Sequence, residues 1–363
     1  MNIDRKRLTT EKSSWMAQAI LFVFLASGAL YLFFPEQHYN IYGWGVLIKY
    51  IIYTILILFL SFYIINNDKI LISSIIICIL WIVSINISII YGTEIDRAML
   101  YLIPVFSILA PPSFQIKSVK LAFPLLLLTG LGAVYEYFVL GGFPRFHPTS
   151  YRGISIFINP NNLGFVATIL TAYIILTHKG ILRWISIILG CALILYSGSK
   201  TGMIVFLIMN LIVVTKSNFI RVFQFGIPII ALAIASVVVG IVKIPLESTW
   251  QRFEQYRDFF ANIDNIIFPF LDNRVYYADN AFIQMWIELG LPSLVVYIGV
   301  LILCAAKERL NSPLWAVFAL ASLTTNIPYL FPPAYMFWFY VGTVMRGTSP
   351  VIEPRKGDPA PSS

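Results

Sequence analysis

The sequence predicts an all-α polytopic membrane protein: about twelve transmembrane helices joined by short connections and one long outer loop. Composition is the first reason. Of 363 residues, 59% are hydrophobic, 15% aromatic and 12% charged, with a mean hydropathy of +0.82, against about 45–50% apolar and about 25% charged in soluble domains. The second reason is that apolar residues come in runs, most of them 15 to 25 long, close to the roughly 20 residues a helix needs to cross about 30 Å of hydrocarbon. The third is that lysine and arginine concentrate in alternate connections, the bias that orients membrane proteins. A separate soluble catalytic domain is excluded by the same numbers.

Taken in chain order, residues 1–14 form a cytoplasmic N-terminal segment carrying Arg5, Lys6, Arg7 and Lys12. The run 15–34 is expected to be a retained first span, because a cleaved signal has a shorter apolar region and a small-residue exit, and here the run continues up to Pro35. Further spans are expected at 44–65, 70–91, 98–114, 121–141, 160–177, 182–198, 202–215, 224–243, 281–305, 313–331 and 334–345, so the helix bundle covers 15–345. The shorter runs, 98–114, 202–215 and 334–345, allow tilted or half-inserted helices. A tail at 346–363, with Pro350, Pro354, Pro359 and Pro361, reads as disordered and cytoplasmic.

Threading from a cytoplasmic N-terminus leaves 16 basic and 6 acidic residues inside, and 9 basic and 11 acidic outside. The net charge of +8 is thus +10 inside and −2 outside, an orienting asymmetry and not a basic patch for nucleic acid. Cys78, Cys191 and Cys304 all lie in apolar runs, so neither a disulfide framework nor a cysteine metal site is expected. The long outer loop, 244–278, exceeds the usual length of a plain connection. Within it Trp250, Phe253, Arg257 and Phe260 recur at helical spacing, which suits a helix lying at the membrane surface, whether structural or functional.

Basic residues outside oppose the orientation rule and need a reason. Lys49 and Lys243 are near helix ends and can snorkel. Arg97, Arg145, Arg152, Lys200, Arg252, Arg257 and Arg274 sit beside acceptor-rich or glycine-rich sequence at span mouths or in the long loop. Clustered guanidinium groups at the outer leaflet suit a lipid diphosphate, whose oxygens match their planar paired donors.

Three constellations carry most of these residues. In Arg152-Gly-Ile-Ser-Ile-Phe-Ile-Asn159-Pro160-Asn161-Asn162-Leu-Gly164, Asn159 can cap a helix that starts at Pro160, but capping does not account for Arg152. Ser197-Gly-Ser-Lys200-Thr-Gly202 forms a tight hairpin between two spans. It is not a Walker A loop, which needs Gly directly before the lysine and at position 194, where Ile stands. It remains open to phosphate binding at a helix start or to turn chemistry alone. The third runs from Asp272 through Arg274 to Asp279-Asn280 and on to Glu288 and Gly290. Asp279 and Asn280 can cap the tenth span, and Asp279 is also well located for a general base. Glu288 must face the bundle interior or a cation, and sits half a turn round the helix from Asp279. Glu136, near the outer end of the fifth span, is a similar case.

In this order the segments resemble the O-antigen polymerase and O-antigen ligase superfamily of bacterial envelope enzymes. The features are Arg152-Gly with Asn159-Pro-Asn-Asn-Leu-Gly164, the Ser-Gly-Ser-Lys-Thr-Gly hairpin, the late outer loop, and Asp279-Asn280 with nine residues to Gly290. They span residues 144–293. The resemblance implies a GT-C-like glycosyltransferase architecture in the bacterial inner membrane, both termini cytoplasmic and the active site facing the periplasm. It implies no cofactor, metal or nucleotide sugar, and a substrate oligosaccharide carried on undecaprenyl diphosphate. Implied partners are that lipid-linked substrate, membrane lipids, a chain-length regulator and a flippase. Two departures bear on the branch: Lys200 stands where the superfamily often has Arg, and Asp279 stands where ligases carry His. The second favours the polymerase branch.

On that resemblance Asp279 is the expected catalytic base, and Arg152, Asn161, Lys200, Arg252, Arg257, Arg274 and Asn280 are expected to bind diphosphate or glycan. The expected reaction is polymerisation of repeat units by inverting transfer. The alternatives are a ligase that moves finished glycan to lipid A core and, from another class, a transporter or flippase for the lipid-linked saccharide. The last would gather charge near the membrane midplane and show paired half-helices or repeats.

Overall fold

A computed structural model of the chain describes residues 72–90, 108, 119–141, 152–157, 160–178, 180–215, 254, 256–263, 265–267, 280–307, 313–323 and 333–345. Among these the chain is helical, with no strand. The longer helices are α1 (Ile72–Ile90), α2 (Val119–Phe138), α3 (Pro160–Thr177), α4 (Ile181–Ser197), α5 (Lys200–Thr215), α6 (Ala281–Lys307), α7 (Pro313–Ser322) and α8 (Pro333–Met345). Each coincides with an apolar run expected to be a span, except that α7 occupies only the first part of 313–331. The expected spans at 15–34, 44–65 and 224–243, and all of 98–114 but Ile108, lie outside the described residues, as do the terminal segments. One described helix, α6, is long and apolar enough to cross a membrane, and α1 to α5 contain shorter apolar stretches.

These runs become helices because an apolar sequence can satisfy its backbone internally only that way. Their few polar side chains are absorbed by the same ladder. Ser84, Thr129, Thr168, Ser186, Ser293 and Ser322 each donate a hydroxyl proton to the carbonyl four residues earlier, and Asn86 and Asn210 do so with an amide. Such back-bonding lets a hydroxyl be buried without a tertiary partner.

α3 is the centre of the fold. It is buried around nearly its whole circumference, from Leu163 at its start to Ile175 near its end, and touches α2, α4, α5, α7 and α8. A helix apolar on every side suits that position. Close approach to α5 uses small residues: a Cβ on Gly202 would come within 3.3 Å of the Gly164 Cα. In apolar surroundings such packing, and not hydrophobic contrast, brings helices together. A second set of contacts joins α1, α6, α7 and α8 through aromatic rings. Trp81 meets Trp338 edge-on at 5.0 Å, Tyr297 meets Phe337 at 5.6 Å, and Phe318 meets Phe337 at 5.3 Å, each pair worth about 0.5–1.5 kcal/mol beyond its area.

Two hydrogen bonds tie helix ends together. Lys307, at the end of α6, donates to the Met345 carbonyl at the end of α8 (2.8 Å), and Asn280, before α6, donates to the Leu323 carbonyl after α7 (2.9 Å).

α6 differs from the continuous span expected at 281–305. Gly290 has φ 79° and ψ 175°, so the helix is broken between Leu289 and Leu291. That conformation is essentially restricted to glycine, and Pro292 follows two residues later. The Leu291 N–H donates to the Ile267 carbonyl (2.8 Å), and the Trp286 indole donates to the Ile266 carbonyl (2.7 Å). The segment at 265–267 is therefore stitched into the break.

Candidate functional site

The site is built from the last turn of α2 outward. Glu136 has no solvent exposure. Its Oε2 accepts from the Ser155 N–H at 2.6 Å, the Ile154 N–H at 3.0 Å and the Tyr196 hydroxyl at 3.0 Å. Ser155 has φ 51°, rare for a non-glycine residue, and its hydroxyl is tied to the Thr129 carbonyl at 2.6 Å. Turned that way, successive N–H groups of 154 and 155 converge on one anion, the geometry of a backbone nest. Strain of this kind persists where several bonds over-determine it.

The segment leading into this turn runs along the end of α4. Gly153 donates its N–H to the Tyr196 carbonyl at 3.0 Å, and any side chain there would overlap the Tyr196 ring, whose Cε1 lies 1.9 Å from the place of a Cβ. Arg152 then reaches the end of the helix itself: its Nε donates to the Ser197 carbonyl at 3.1 Å and its Nη2 to Asn161 Oδ1 at 2.7 Å. A cation over the last carbonyls of a helix interacts favourably with the helix dipole.

The hairpin after α4 is as tight as expected. Gly198 closes α4 in the left-handed conformation (φ 57°, ψ 21°) and donates to the Leu195 carbonyl, while Ser199 caps α5 through its hydroxyl to the Gly202 N–H at 3.1 Å. Lys200 is the first residue of α5 and half-buried. A Cβ on Gly198 would lie 3.1 Å from Arg152 Cγ, so the hairpin and the arginine are in contact. α3 begins at Pro160, the position expected for proline, with Asn161 next to it.

Three of the expected site residues, Arg152, Asn161 and Lys200, are thus gathered where α3 and α5 begin and α4 ends. Two helix N-termini and a guanidinium at one locus, with Lys200 opening one of the helices, can bind an anion. Two others have partners of their own. Asn280 has the capping geometry: its Oδ1 accepts from the N–H groups of Phe282 (2.9 Å) and Ile283 (3.2 Å), and its Nδ2 holds Leu323. Arg257 is exposed and pairs with the adjacent Asp258 at 3.4 Å. It belongs to the loop helix at 256–261, where Phe259, outside the anticipated stripe, is the buried residue, with its ring edge-on to Trp286 at 5.5 Å. Phe260, within the stripe, is 55% exposed. Asp279, Arg252 and Arg274 lie outside the described residues.

Glu288 accepts from Gln284 at 2.6 Å, and Gln284 is fully buried, so it is tied to the interior. The role of Glu136 and its partner Tyr196 was not legible. An acidic residue inside an apolar run signals a buried partner, but nothing in the run around Tyr196 marks it as that partner.

The chain matches no protein-family model and no curated protein.

Proposed function

We propose that this protein polymerises undecaprenyl-diphosphate-linked oligosaccharide repeat units into O-antigen or a related surface polysaccharide, at the periplasmic face of the bacterial inner membrane. The observation that carries the reading is the meeting of Arg152, Asn161 and the Lys200 hairpin at three helix ends. It is a built, half-buried locus that holds a guanidinium, and the charge asymmetry of the sequence is the reason to expect it on the side where few basic residues belong. The apolar runs and the charge asymmetry of the sequence support the same reading.

In the proposed reaction Asp279 takes the proton of an acceptor hydroxyl as that oxygen attacks the anomeric carbon of the donor. The bond from that carbon to the diphosphate oxygen breaks with inversion, and the diphosphate leaves as an anion. Arg152 and Lys200, with Arg252, Arg257 and Arg274 from the long loop, bind that anion and offset its growing charge. Asn161 orients Arg152, and Asn280 holds the start of α6 beside Asp279. No metal or cofactor takes part. A transporter reading is less well supported, because the basic groups of the described cluster lie at helix ends and not at mid-helix.

Purified protein incubated with a lipid-linked repeat unit is expected to give a ladder of products on a gel. Asp279→Asn is expected to abolish the ladder with normal protein levels in the membrane, and an unchanged ladder removes Asp279 from the mechanism. Cells lacking the protein are expected to carry lipid A core capped by one repeat unit. Uncapped core would assign the ligase reaction instead.

A further inference from the structure

Four consecutive residues at the site are tied to three partners. Arg152 is bonded to the Ser197 carbonyl, Gly153 to the Tyr196 carbonyl, and Ile154 and Ser155 to the Glu136 carboxylate. The carboxylate and the α4 terminus are themselves linked, through the Tyr196 hydroxyl. The backbone around Arg152 is therefore held between a buried anion on α2 and the last turn of α4.

We infer that Glu136 is the positioning residue for Arg152. Its carboxylate fills the nest made by the Ile154 and Ser155 N–H groups, fixes the turn that Ser155 makes, and so sets the guanidinium over α4 and against Asn161. Glu136 is fully buried and bonded to the protein, so it acts through Arg152 and not on substrate. Charge-assisted bonds from two amides and a phenol suit an anion in this place. A glutamine would keep the size but offer one acceptor oxygen in place of two and turn an N–H₂ toward donors. That the ligand of Arg152 is a lipid diphosphate rests on the function proposed above.

The test uses the purified full chain in detergent, with undecaprenyl diphosphate as the probe. Glu136→Gln is expected to weaken its binding about tenfold, the usual consequence of losing a hydrogen bond to a charged group. Arg152→Ala is expected to weaken it at least as much. The double variant should bind no more weakly than Arg152→Ala alone, because a residue that acts through the guanidinium has nothing to act on once it is gone. Losses that multiply would overturn the inference. Tyr196→Phe keeps the nest and removes one bond, and is expected to weaken binding about threefold. It serves as the probe should Glu136→Gln fail to fold.

A readout independent of ligand is amide hydrogen exchange at residues 153–155. It is expected to quicken in Glu136→Gln, and less in Tyr196→Phe, while α1 and α6 stay unchanged, and unaltered protection would overturn the positioning role. Wild-type protein that does not bind undecaprenyl diphosphate would overturn the proposed function and the diphosphate assignment, with the exchange result still deciding whether Glu136 holds the segment.

Discussion

Gly153 is the residue whose identity the site can least change. A methyl group there would lie 1.9 Å from Tyr196 Cε1 and 2.4 Å from its Cδ1 and Cζ. The ring cannot swing aside freely, because its hydroxyl is bonded to Glu136. Gly153→Ala is expected to lower stability by about 1–3 kcal/mol, the usual cost of overpacking, read as a lower thermal midpoint in detergent. It should also displace Arg152 and weaken anion binding, whereas an alanine in an exposed turn would do neither. Arg152 stands out in the sequence as a cation beside an amide-rich stretch, but its bond to Asn161 does not. The Glu136 anchor was only half legible: the acid stands out in an apolar run, but its partner Tyr196 is 60 residues away and carries no local signal.

At the scale of elements, α6 is where pattern and structure part. Hydropathy sees one apolar run, yet Gly290 divides it into a short helix capped by Asn280 and a longer one that begins near Pro292. The division has a use in the fold. It frees the Leu291 N–H for the Ile267 carbonyl and so anchors the loop before α6, with Phe259 and Trp286 packed against each other. Gly290→Ala is expected to cost about 1–3 kcal/mol, because that backbone region is closed to other residues, and to loosen the loop. Trypsin cleavage at Arg257, whose side chain is 65% exposed, should speed up in this variant. Unchanged cleavage would mean that the loop is held elsewhere. Glycine followed two residues later by proline was the available signal for the break, but glycine and proline are frequent in membrane helices and do not by themselves locate a kink.

For the whole molecule, the charge asymmetry makes a prediction about sidedness. Val139, just after α2, and Ile181, at the start of α4, are both well exposed, at 62% and 75%. The proposed topology puts Val139 outside and Ile181 inside. With Cys78, Cys191 and Cys304 replaced by alanine, a membrane-impermeant maleimide added to intact cells with a permeabilised outer membrane is expected to modify Val139→Cys at once. It should modify Ile181→Cys only after the inner membrane is opened. Equal modification of both from outside would overturn the topology, and with it the assignment of Arg152 and Lys200 to the periplasm. By itself the sequence determined the described helices and, α7 and the break in α6 aside, their approximate limits, because apolar runs must satisfy their own backbone hydrogen bonds and have little choice but to be helical. Only the tertiary structure decided which ends meet: that Arg152 lies on Ser197 and Asn161, and that Glu136 holds the turn between them. The physical reason is that helix faces of similar apolarity do not specify their neighbours. Pairing is left to small residues such as Gly164 and Gly202, and to a few hydrogen bonds between residues far apart in the chain.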